Sequence, residues 1–138
     1  MNIRRRKKSR QGAAAVEFAL IVPLMLTFTF GLIEMSRISI IKESIVQASR
    51  EGARIGIRPT ASSSDVQSRI NEELGVMGIT TASVSITPSH LDTAQPGEEI
   101  SVKIEIPISE VSFIPGFFNF DGVDISAETV MRRESTGT

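Results

Sequence analysis

At 138 residues the chain has room for one small folded domain and an anchor. It contains no cysteine, which excludes disulfides and thiolate metal sites, and the formal net charge of −1 hides an asymmetry. Six of the 15 basic residues fall in the first ten positions, which leaves nine against 16 acidic ones in the rest, so the basic character belongs to the N-terminus and argues against nucleic-acid binding.

Residues 1–12 form a basic leader with Arg4, Arg5, Arg6, Lys7, Lys8 and Arg10. From Ala13 to Ile33 the chain is apolar apart from one charge, Glu17. A helix of that length rises about 1.5 Å per residue and spans roughly the 30 Å hydrocarbon core of a bilayer. Positive charge beside a spanning helix stays on the cytoplasmic side, so the remainder is expected across the membrane. Glu17 is a carboxylate in an apolar run, a liability unless it finds a partner. Pro23 lies within the run, which spanning helices tolerate.

The helix is expected to continue through 34–58 as an amphipathic element. Ile38, Ile41, Ile45, Ala48, Gly52 and Ile55 recur at spacings of 3 and 4, and the charged residues fall mainly off that stripe. Gly52 and Gly56 weaken its end and Pro59 closes it. Residues 63–138 read as an α+β domain outside the cytoplasm. A second helix begins near Ser64, where Ser64 and Gln67 have capping-box spacing and Asp65 suits the positive helix end. Val66, Ile70 and Leu74 form its apolar face, and Gly75 or Gly78 ends it.

Three strands follow by alternation: Ala82–Thr87, Glu99–Ser109 and Val123–Arg133. Pro107 places the end of the second at a sheet edge or bulge. The fold class expected is α+β: a long N-terminal helix, spanning in its first half, packed with a short second helix against a small antiparallel sheet of about three strands.

Chemistry finds little footing. The single histidine, His90, sits in a turn-like loop without a second ligand at metal spacing. Neither a GxSxG or SxxK arrangement nor a phosphate-cradling glycine loop occurs. The expectation is a chain that is not an enzyme, with no cofactor and no metal. The loop Ser112–Asp121, SFIPGFFNFD, gathers Phe113, Phe117, Phe118 and Phe120. These rings either fold back onto the long helix as core, or form a contact patch for another subunit or the outer membrane leaflet.

The junction itself carries a further signal. A basic leader, Gly12, Ala13 and then Glu17 as the fifth residue after the glycine resembles a type IV-class prepilin processing site. With AAAVEFALIVPL, GLIEMSRISI and QASREGAR, and more weakly SAETVMRRE near the C-terminus, the chain resembles the TadE-like minor pilins (pseudopilins) of Tad/Flp pilus systems. That resemblance implies a pilin-like plan and cleavage between Gly12 and Ala13 by a prepilin peptidase. It implies an assembly role for Glu17, paired with a neighbouring subunit's new α-amine. The partners it implies are the major Flp-type pilin, other minor pilins, the inner-membrane assembly platform and the membrane. The competing reading is an uncleaved single-pass membrane protein whose outer domain binds a ligand or scaffolds a complex.

Overall fold

The computed structural model describes residues 9–113 and 120–134. The leader residues 1–8 and Phe117 and Phe118 of the aromatic loop lie outside the described residues. The element order is α1 (Ser9–Gly56), α2 (Ser63–Val76), β1 (Ser83–Thr87), a 3-10 turn (Leu91–Thr93), β2 (Glu99–Pro107), α3 (Ile108–Val111) and β3 (Asp124–Arg132). The expected α+β class is observed: a long N-terminal helix, a second helix and a three-stranded antiparallel sheet in the order β1-β2-β3. The chain divides into two compact units, Met1–Met35 and Ser36–Thr138.

Within the described residues the first unit is helix alone. Val16, Phe18, Leu20, Leu24, Leu26, Phe28 and Leu32 are all exposed. Apolar side chains in that number cannot stay in water, and the helix is long and apolar enough to cross a membrane. The hydroxyls inside the run are satisfied locally: Thr27 Oγ1 donates to the Pro23 carbonyl at 2.9 Å and Thr29 Oγ1 to the Met25 carbonyl at 2.8 Å. Such back-bonding lets a hydroxyl sit where no water is available.

The second unit owes its core to three alternations. Ile41, Ile45, Ala48 and Ala53 of α1, Val66, Ile70 and Leu74 of α2, and Ile100, Val102, Ile104 and Ile106 of β2 are buried together. Ile125 and Ala127 of β3 complete the apolar face of the sheet. Val123 departs from the expected alternation; it precedes β3 and is exposed. The opposite sheet face is polar, with Lys103 paired to Glu105 at 2.8 Å and Ser101 donating to Glu128 at 2.6 Å.

The two glycines of the α1 stripe do more than weaken the helix. A Cβ at Gly52 would lie 2.7 Å from Ile70 Cδ1 and 2.8 Å from Ile70 Cγ1, so α2 crosses α1 so closely that any side chain at position 52 makes Ile70 shift. A Cβ at Gly56 would meet Ile100 Cγ2 at 3.3 Å and Val66 Cγ2 at 3.4 Å.

The start of α2 differs from the expected one. The N-cap is Ser62, not Ser64, and Asp65 is its reciprocal partner three residues on. Asp65 Oδ2 accepts from the Ser62 backbone N–H at 3.0 Å and from the Ser62 hydroxyl at 2.6 Å. Asp in place of the usual Glu or Gln at that position hides the box from a pattern search. The end of α2 is at Gly78: Ile79 N–H donates to Leu74 C=O at 3.1 Å and Gly78 N–H to Gly75 C=O at 3.0 Å. With Gly78 at φ +70 this is a Schellman motif, and Ile79 and Leu74 supply its apolar contact.

Strand β2 is central, pairing β1 through Ser83↔Glu105 and β3 through Pro107↔Asp124. Pro107 therefore ends a central strand rather than lying on an edge strand. The β1 ladder has already stopped at Glu105, so the missing N–H interrupts no pairing. After it the chain turns into α3, which the alternation of Ile106 and Ile108 does not signal.

Ile108 N–H donates to Val123 C=O at 2.9 Å and Arg133 N–H to Glu98 C=O at 2.9 Å, which fixes the ladder phase. In that phase Ser126, Glu128 and Val130 turn their backbone groups away from β2, toward the free edge. Lys42 Nζ, from α1, donates to the outward Ser126 carbonyl.

Candidate functional site

The three residues of the expected processing motif, Gly12, Ala13 and Glu17, lie on one continuous helix. Because α1 begins at Ser9, the Gly12–Ala13 bond is in helical backbone, and both residues are exposed. A Cβ at Gly12 would meet nothing within 4 Å, so space in the molecule does not demand glycine there. Glu17 follows about a turn later, also exposed. A carboxylate at that position is open to a group from outside the chain.

The aromatic loop divides. Phe113 is 60% exposed, whereas Phe120 is half-buried and packs against the core of the second unit. The end of α3, just before the loop, is tied to α1 by Arg37, whose Nε donates to the Val111 carbonyl at 2.6 Å. His90 is exposed at the start of the 3-10 turn, and its carbonyl accepts from Thr93 Oγ1 at 3.0 Å. No group of three or more His, Cys, Asp or Glu placed to hold a metal occurs among the described residues.

Three polar features inside the second unit escaped the pattern reading. Ser49 is buried on α1; its hydroxyl lies 2.7 Å from Thr129 Oγ1 on β3 and 2.9 Å from the Val46 carbonyl. Arg133 is buried, donating from Nη2 to the Pro59 carbonyl at 2.7 Å and from Nη1 to the Leu91 carbonyl. Its planar fork reaches two loops that no single point charge would bridge. The next residue extends the tie, with Glu134 N–H donating to Ile57 C=O at 3.0 Å. A basic pair near a C-terminus, Arg132–Arg133, looks like solvated charge, and only Arg132 is: it meets Glu99 at 3.4 Å on the polar face.

Comparison with known families addresses the N-terminal helix. Residues 12–54 match the family model of TadE, described as TadE-like protein. The matched stretch runs from Gly12 almost to the end of α1, and the family is the one that the sequence resembles. It takes in the exposed apolar run, Glu17, and the α1 stripe that closes the core, and it stops short of α2 and the sheet. No curated protein and no solved structure matches the chain.

Proposed function

We propose that the chain is a TadE-like minor pilin, made as a membrane prepilin and used in assembling a Tad/Flp-type pilus. The observation that carries this reading is the TadE-like match over residues 12–54, coinciding with a helix that is apolar and exposed in its first part. In this reading the leader stays in the cytoplasm and a prepilin peptidase hydrolyses the Gly12–Ala13 bond. The helical turn around that bond opens when the peptidase binds, since a scissile peptide must reach the active site extended. The new α-amine at Ala13, with an ordinary pKa of about 8, is protonated near neutral pH. In a bundle of like helices it pairs with Glu17 of a neighbouring copy or of another pilin, which relieves the carboxylate's desolvation and sets register. The second unit makes lateral contacts outside the cytoplasm. The chain performs no catalysis and binds no cofactor; its partners are the peptidase, the major Flp-type pilin, other minor pilins and the inner-membrane platform.

Intact mass and N-terminal sequencing of the membrane-extracted protein test this directly. A mature chain beginning AAAVEFAL, lost on Gly12→Leu, is the expected result. A chain that keeps its leader in cells with an active prepilin peptidase overturns it in favour of an uncleaved anchor. Glu17→Ala is expected to reduce pilus assembly while leaving the second unit folded. Normal assembly in that variant removes Glu17 from the mechanism.

A further inference from the structure

The two-layer build of the second unit turns two charged faces away from each other. Helix α1 and the sheet bury their apolar sides in one core, so the outer side of α1 and the polar side of the sheet form the front and the back of the unit. At about 100° per residue, Arg50 lies roughly 200° around α1 from the buried Ala48, and Arg54 about 40° further on. Both are exposed, as is Arg58 in the turn just after the helix. Among the described residues no carboxylate pairs with Arg50 or Arg58, and Arg54 meets Glu51 only at 3.8 Å. Glu43, the other acid on this side, lies almost two turns before Arg50, so the basic character belongs to the C-terminal end of α1.

The back of the unit is charged the other way, and at its other end. Asp124 and Glu128 on β3 flank Ser126, which is opposite Glu105 on β2. Lys103 is taken by Glu105 at 2.8 Å, and among the described residues no base is within ion-pair reach of Asp124 or Glu128. Arg132 and Glu99 pair with each other at the far end of the face.

The contacts of α1 with β3 fix where these two clusters lie along the unit. Lys42 bonds to Ser126, Ser49 to Thr129, and the Ile57 carbonyl accepts from Glu134 N–H, so α1 and β3 run the same way side by side. Arg50–Arg58 is therefore level with the last part of β3, whereas the acids centre on Ser126. The offset is about five or six strand residues, or roughly 17–20 Å. The clusters also match in length: Arg50 to Arg58 covers about 12 Å at helical rise, and Asp124 to Glu128 about 13 Å as strand.

We propose that copies of this chain meet front to back, with the arginine end of one α1 on the acidic end of the next copy's sheet face. The two α1 helices run parallel, and the second copy is displaced by roughly 17–20 Å toward the C-terminal end of the first copy's α1. Because the two faces differ and lie on opposite sides, each contact leaves one face of each kind free, and the contact repeats as an open series instead of closing at two. Exposed ion pairs add little strength, whereas complementary charges fix register, so the contact sets the stagger between copies. It rests on the proposed function for the parallel order of the copies in one membrane, and it adds to that reading the step from one subunit to the next.

The absence of cysteine makes the register measurable. Full-length Arg54→Cys is co-expressed with full-length Ser126→Cys or, as a control about 13 Å further along the same strand, Val130→Cys, and the membranes are oxidised. The expected mixed disulfide between positions 54 and 126 exceeds that between 54 and 130 severalfold. Arg50→Glu with Arg58→Glu in the Arg54→Cys chain reduces it severalfold, and Asp124→Arg with Glu128→Arg in the Ser126→Cys chain restores it, a rescue that a misfolded variant cannot give. Disulfides joining 54 to 54 or 126 to 126 in place of the mixed one overturn the front-to-back contact. Equal yields at 126 and 130 overturn the stagger, and loss without rescue overturns the charge pairing. N-terminal sequencing of the same material separates the contact from the pilin reading. Processed chains without the mixed disulfide overturn the contact alone. Chains that keep their leader and still form it support the contact and overturn the processing, and chains that keep their leader and form none overturn both.

Discussion

Alanine at two glycines of the same chain is expected to act with opposite effect. At Gly75, inside α2, an added Cβ meets nothing within 4 Å, so Gly75→Ala keeps only the helix-propensity gain of about 1 kcal/mol. At Gly52 the same gain is opposed by a Cβ placed 2.7 Å from Ile70 Cδ1 and 2.8 Å from Ile70 Cγ1. Ordinary contact needs 3.4 Å or more, and Ile70 is fully buried, so it can give way only by moving against the core around it. Overpacking of this kind costs about 1–3 kcal/mol. Because the propensity gain is common to both sites, Gly52→Ala should fall about 1–3 kcal/mol below Gly75→Ala in stability. A second substitution identifies the side chain responsible. Ile70→Ala removes both Cδ1 and Cγ1 and alone costs about 2–5 kcal/mol, but in the Gly52→Ala background the relieved clash offsets part of that cost. Without Trp or Tyr the chain is poorly suited to fluorescence, so hydrogen exchange of the β2 amides in the detergent-solubilised full chain is the assay. Equal stabilisation by Gly52→Ala and Gly75→Ala would refute the close crossing of α1 and α2.

Arg133→Met leaves the Pro59 and Leu91 carbonyls without their donor and is expected to cost about 2–4 kcal/mol, with Arg133→Lys recovering only part, as read by the same exchange assay. Ser49→Ala should destabilise by about 1 kcal/mol by stranding the Thr129 hydroxyl, while Ser49→Ala with Thr129→Val should be close to neutral in a double-mutant cycle. Ser62→Ala removes the cap of α2 at a cost of about 1 kcal/mol, measured by urea unfolding. The hydrogen bonds from Ser62, side chain first and then backbone, hold the Asp65 carboxyl below its ordinary value of 3.8. A depressed folded value stabilises above the unfolded one, so this contribution is complete at neutral pH and is lost as pH falls below about 4 through the depressed value. Ser62→Ala should flatten that part of the acid unfolding profile.

What was legible in the sequence follows from which features are periodic. The α1 stripe and the alternation of β2 repeat many times, and repetition by 3.6 or by 2 survives any single exception. Single-residue features fared less well. The α2 cap lies two residues before the expected one because Gln67 gives Ser64 the usual capping-box spacing, whereas the box that forms uses Asp65 reaching back to Ser62. Gly52 was readable as a position on the stripe but not as a close approach, which requires knowing that Ile70 crosses there. Arg133 was unreadable for the same reason: its partners are carbonyls 42 and 74 residues away, and carbonyls leave no mark in a sequence. The expected processing motif is the converse case. Gly12, Ala13 and Glu17 stand out by their resemblance to a prepilin site, yet the fold gives them no packing role, since all three are exposed.

On the proposed function, in which copies of the chain wait in one membrane before assembly, the bond from Lys42 to the outward carbonyl of Ser126 has a consequence. An open strand edge is a template, and identical chains at high local density are the most available material to extend it. Here the ammonium occupies the edge of β3 from the side, so another strand must first displace a cation that α1 keeps in place. The guard is supplied by α1, so on that reading waiting copies are kept apart at their sheet edges while their apolar helices stay available to one another.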